Sequence, residues 1–160
     1  MKRTLAIVAC VVFATSYGAA SLASPARSRP SKPAPHVRGA KGSPPPAWIE
    51  TASGSYWLAY SSYCWTRGRA AVCADFIPPP RRVKELPRIK HGPGESVRFH
   101  LGFKPNTVSI GFFVNGKLGR PTQLAARQDP AWRATVGGVL LLQARTRGSD
   151  ASYAAVITFR

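Results

Sequence analysis

A chain of 160 residues is long enough for one packed core and too short for two sizeable domains. Its 23 Lys and Arg against 6 Asp and Glu give a net charge of +17, which points toward anionic partners and away from basic ones. Three histidines, three cysteines and six acids leave little material for a metal centre or a catalytic cluster.

Residues 1–23 have the layout of a cleavable signal peptide. Met1-Lys2-Arg3-Thr4 is a short positive start, Leu5 to Phe13 is apolar, and Ser21-Leu22-Ala23 puts small residues at −3 and −1 of a cut before Ser24. The apolar run is well short of the roughly 20 residues of a spanning helix, and no later segment is long and apolar enough, so no transmembrane segment is expected after cleavage. Ile7-Val8-Ala9-Cys10 superficially resembles a lipid-attachment box, but Cys10 lies inside the apolar run. The expected location is secreted or extracytoplasmic, at the cell envelope. Removal of 1–23 takes away Cys10 and leaves Cys64 and Cys73, an even pair that reads as a disulfide in an exported chain.

Residues 24–47 read as a disordered, basic linker. They carry Pro25, Pro30, Pro33, Pro35 and Pro44-Pro45-Pro46 with Arg27, Arg29, Lys32, Arg38 and Lys41, and no acid. Such a stretch buries too little surface to offset its ordering entropy. In polyproline II form it would reach on the order of 70 Å at about 3.1 Å per residue.

From 48 to 160 the composition changes to short aromatic and β-branched runs, which predict one β domain. The first clear unit is Tyr63-Cys64-Trp65-Thr66-Arg67-Gly68-Arg69-Ala70-Ala71-Val72-Cys73-Ala74-Asp75. A two-residue turn at Gly68-Arg69, with Gly where a type II′ turn prefers it, pairs Trp65 with Val72 and Cys64 with Cys73. The cysteines then face each other at a non-hydrogen-bonded site, where Cα atoms approach to about 4.5 Å and a disulfide can form. This is a staple of somewhat under ~3 kcal/mol rather than a redox centre. Tyr56, Trp57, Tyr60, Tyr63 and Trp65 flank it as core aromatics. Trp57 and Trp65 are also candidate contacts for sugar rings or peptide.

Residues 77–94 read as an irregular crossing, with Pro78-Pro79-Pro80, Pro87 and Pro93. Val97, Phe99, Leu101 and Phe103 alternate with Arg98, His100 and Gly102, which predicts a strand with His100 outward. Val108, Ile110, Phe112 and Val114 form one face of the next strand, and Asn115-Gly116 signals a type I′ hairpin. Val139 to Leu142 reads as a strand buried on both sides. Arg147 to Asp150 turns the chain into a last strand, Tyr153 to Phe159. About seven antiparallel strands at this spacing predict a two-sheet sandwich.

Charge is the strongest functional signal. Arg81, Arg82, Lys84, Arg88 and Lys90 crowd the crossing, and Arg67 and Arg69 top the hairpin. These seven are the candidate contacts for an anionic envelope polymer, an anionic lipid surface or an acidic protein. Nucleic acid is disfavoured, since no motif for it is present. Nor does any motif ask for a cofactor or a metal; a Gly-x-Ser-x-Gly elbow and a His-Glu-x-x-His pair are both missing.

Tyr63-Cys64-Trp65, Cys73-Ala74-Asp75, Gly94-Glu95-Ser96-Val97 leading to Phe103-Lys104-Pro105, and Gly148-Ser149-Asp150-Ala151-Ser152-Tyr153 together resemble a family of small exported or lipid-anchored bacterial proteins. Their shared β-sandwich domain carries no assigned activity. The resemblance covers most of 54–160 and implies an immunoglobulin-like fold. It brings no binding residues, and Cys10 departs from the lipid cysteine of many relatives.

Three functional expectations follow. The first is a secreted, non-enzymatic β-sandwich that binds or organises at the cell envelope through its basic surface. The second is a protein-interaction or inhibitor module using the 63–75 hairpin or the 77–94 loop. The third, an enzyme, would need a pocket that gathers His91 or His100 with an acid, and the thin inventory argues against it.

Overall fold

The computed structural model describes residues 41–159. The signal-peptide segment, linker residues 24–40 and Arg160 lie outside the described residues. Twelve strands follow along the chain: β1 (Trp48–Thr51), β2 (Gly54–Trp57), β3 (Ala59–Arg67), β4 (Ala70–Asp75), β5 (Arg88–His91), β6 (Ser96–His100), β7 (Thr107–Val114), β8 (Lys117–Leu118), β9 (Thr122–Leu124), β10 (Ala131–Arg133), β11 (Gly138–Arg145) and β12 (Asp150–Phe159). The expected seven strands become twelve because short strands of two to four residues add further pairing.

The fold is all-β with two sheets. The smaller runs β10-β6-β1-β2, and the larger, which curls, runs β4-β3-β12-β11-β7-β8 with β5 on β12 and β9 on β7. All pairs are antiparallel except β5 with β12. The core lies between the sheets. Ile49, Val97 and Phe99 of the small sheet meet Tyr60, Ile110, Leu140, Leu142 and Tyr153 of the large one. Period-two alternation put these side chains on one face, as Val97 and Phe99 buried beside exposed Arg98 illustrate.

Turn chemistry fixes the hairpins. Asn115 and Gly116 both have positive φ, 51° and 76°, as a type I′ turn requires. Val114 then faces Lys117 and Phe113 faces Leu118.

Two assignments need correction. Residues 43–47, placed in the linker by composition, are part of the fold. Ser43, Pro44 and Ala47 are buried, the Leu58 amide donates to the Ala47 carbonyl at 3.0 Å, and the Tyr60 hydroxyl donates to the Pro44 carbonyl at 2.7 Å. Prolines cost little backbone entropy to fix, and their carbonyls still accept hydrogen bonds, so two core tyrosines hold them. The crossing 77–94 is not wholly irregular either. It holds a 3-10 turn at Pro79–Arg81 and then β5, whose residues Arg88 to His91 run parallel to Val156 to Phe159.

That crossing also gives the large sheet a second buried face. Leu86 and Val83 pack on Ala154, Val156, Ala59 and Val139. Strand β12 is therefore buried on both faces from Ala151 to Ile157. Leu140, Leu141 and Leu142 of β11 are buried as well, as the unbroken apolar run predicts.

Candidate anion-binding surface

The cysteine hairpin has the register that the turn dictates. Cys64 faces Cys73, Trp65 faces Val72 and Arg67 faces Ala70. The disulfide joins Cα atoms 4.0 Å apart. Gly68 alone of the two turn residues has positive φ, at 61°, which distinguishes type II′ from type I′. Arg67 and Arg69 are exposed at the tip.

Two contacts bring further cations to this end. The Thr66 amide donates to Ser149 Oγ at 2.9 Å, and the Thr66 hydroxyl donates to the Gly148 carbonyl at 2.7 Å. The turn that carries exposed Arg147 is thereby fixed beside the hairpin. On the other side, a Cβ on Gly42 would lie 2.9 Å from Val72 Cγ2. Gly42, and with it exposed Lys41, therefore lies alongside β4.

The crossing supplies a separate group. Arg81, Lys84, Arg88 and Lys90 are exposed, while Ile89 and His91, which alternate with the last two, are buried. Arg82 does not belong with them. Its guanidinium donates to the Tyr60 carbonyl and lies 5.3 Å over the Phe76 ring, so it ties the crossing to β3 instead of facing solvent. Seven residues separate Tyr60 from Arg67 along β3, about 23 Å at ~3.3 Å per residue. The seven predicted cations thus divide into two at the hairpin tip, four on the crossing and one spent on structure. None of the six exposed ones takes part in the Arg98–Asp129 ion pair at 3.5 Å or the His100–Glu50 contact at 2.9 Å.

The aromatic candidates fare differently. Trp57 is only 5% exposed, so it is a core residue and not a contact. It stands opposite Trp48 in register, so the two indoles share the face of the small sheet that Ile49 does not. Trp65 is half-buried, with Phe103 edge-on at 4.7 Å. The half-buried tryptophan that does line an open cleft is Trp132, which the sequence reading passed over. Its signal is the short alternation Ala131-Trp132-Arg133, too brief to stand out.

Both domain histidines have structural surroundings. His91 is fully buried; its Nδ1–H donates to the Gly92 carbonyl at 2.7 Å, and its ring meets Phe159 edge-on at 4.8 Å. His100 does not point freely outward. It stacks on Trp48 at 3.7 Å and places Nε2 2.9 Å from Glu50 Oε2.

Open clefts border the large sheet. One, about 410 Å³, includes Thr107, Ser109, Gln123, Gln143 and Arg145. It is part of a polar row across the outer face, where Gln123, Ser109, Gln143, Ser152, Ser62 and Asp75 stand in register on six strands. Another, about 300 Å³, opens between β7–β8 and β10 and is lined by Phe112, Val114, Arg120, Trp132 and Val136 among others. Neither cleft is lined by a histidine or a carboxylate. Among the described residues no three His, Cys, Asp or Glu side chains gather as a metal site, and no helix is long and apolar enough to cross a membrane.

Comparison with protein-family models, with curated proteins and with solved structures returns no match.

Proposed function

We propose that this protein is an exported, non-enzymatic β-sandwich of immunoglobulin-like type that binds an anionic polymer of the cell envelope through its hairpin end. One observation carries the reading: Lys41, Arg67, Arg69 and Arg147 are exposed at one end of the molecule and have no acid paired with them. A charged surface without internal partners attracts polyanions over about a Debye length, roughly 8 Å at physiological salt. Binding of this kind weakens as salt rises.

The test is retention of the purified protein on isolated envelope polymer across a salt gradient. Arg67→Glu with Arg69→Glu should elute at clearly lower salt, and Arg88→Glu with Lys90→Glu should move elution less. Equal recovery at low and high salt rejects the proposal.

A second reading is favoured by Phe76 and Ile77, which are 40% and 60% exposed where β4 leads into the crossing. An apolar step flanked by cations suits a protein partner with an acidic rim. Capture of such a partner that is lost in Ile77→Ser but unaffected by Arg67→Glu would favour this module over polymer binding.

A further inference from the structure

The cleft between β7–β8 and β10 is unlike the rest of the surface. It opens where an edge of the small sheet and an edge of the large sheet part. The rings of Trp132 and Phe112 lie 5.4 Å apart on its wall. Val114 and Val136 are 63% and 46% exposed at its rim, two of the most exposed large apolar side chains in the described residues. Isolated apolar side chains on a surface need no explanation, but a cluster around a hollow marks a binding site.

One strong polar group enters this apolar setting. Arg120 lines the cleft and belongs to neither ion pair of the described residues. Its side chain is exposed at the cleft, and the planar fork of a guanidinium matches a carboxylate. A volume of about 300 Å³ suits a small ligand and excludes a folded partner.

We propose that this cleft binds a small amphipathic anion, an apolar chain whose carboxylate meets Arg120 while its body lies against Trp132 and Phe112. This site is independent of the hairpin end. It stands four strand spacings away along the large sheet, about 19 Å of sheet at ~4.8 Å per strand.

The probes are decanoate, decanol and acetate, each titrated into the purified protein while the indole resonance of Trp132 is followed by NMR. Decanoate should shift that resonance saturably. Decanol should bind about tenfold more weakly, since it lacks the charge-assisted contact, and acetate should not bind, since it lacks the chain. Arg120→Gln should weaken decanoate about tenfold and leave decanol unchanged. Val136→Glu should weaken both alkyl probes while the rest of the spectrum stays in place. The proposal is overturned if decanoate gives no saturable shift at Trp132. It is equally overturned if acetate binds as well as decanoate, or if Arg120→Gln leaves decanoate affinity unchanged.

Discussion

The hydroxyl of Tyr153, on β12, donates to the carbonyl of Pro45 at 2.7 Å across 108 residues of chain. Tyr60 makes the same contact with Pro44. The two rings lie 5.4 Å apart. Together they seat the residues before β1 against the centre of the core.

Tyr153→Phe should cost about 1–2 kcal/mol, since it leaves the Pro45 carbonyl without its partner. Equilibrium urea unfolding checks the value. A chain that starts at Lys41 should keep the midpoint of the whole protein, and one that starts at Trp48 should lose much of it.

The same tyrosine makes the fold sensitive to alkali. Burial first, then the neighbouring Tyr60, pushes its hydroxyl far above the ordinary value of 10.0. Below that value both folded and unfolded chains keep the proton. Above it the unfolded chain releases the proton and the folded chain retains it, so stability falls as pH rises past 10.0. Unfolding measured on both sides of that pH should show a steeper loss in the native protein than in Tyr153→Phe.

Glu95 accepts hydrogen bonds from the Ala52 amide at 2.7 Å and the Gly92 amide at 2.6 Å. It thereby joins the β1–β2 turn to the loop after β5. Glu95→Ala should cost about 2 kcal/mol, because both bonds are charge-assisted. Glu95→Gln offers one acceptor oxygen instead of two and should lose roughly half as much. Amide exchange at Ala52 and Gly92 would report the two contacts separately.

Gly102 lies under Pro45. A Cβ there would sit 2.3 Å from Pro45 Cβ, and a proline ring has little freedom to move aside. Gly102→Ala should therefore destabilise by about 1–3 kcal/mol. Gly148→Ala meets open space and should change the midpoint little, which makes it the matched control in thermal unfolding.

Opening the staple should be felt mainly through the unfolded chain. Cys64→Ser with Cys73→Ser should lower stability by somewhat under ~3 kcal/mol, the loop-closure contribution of about ten residues. The register around Trp65 and Val72 should persist, and cross-strand contacts between them in NMR spectra would show it.

What the sequence made legible was local. Gly68-Arg69 and Asn115-Gly116 encode backbone angles directly, so both hairpins and the cysteine register follow from a few residues. Strand faces follow from alternation, as at Val97 and Phe99. What was hidden depends on partners distant in the chain. Proline-rich 43–47 has the composition of a solvated linker, and only Tyr60 and Tyr153 reveal it as bound. β5 is four residues between prolines, and its partner lies near the end of β12. Arg82 looked like one more surface cation until the Tyr60 carbonyl claimed it. The Trp132 cleft joins edges of two sheets, a juxtaposition that no single segment announces.

The position of β12 bears on how the molecule is made. It follows every other strand of the fold, yet lies mid-sheet between β3 and β11 and takes β5 alongside. Ser62 waits 90 residues for Ser152. Strands that emerge first therefore have no complete sheet to join, and closing such distant pairs is slow compared with forming local hairpins. Until Asp150 to Phe159 emerges, the chain amounts to separate hairpins and loose edges.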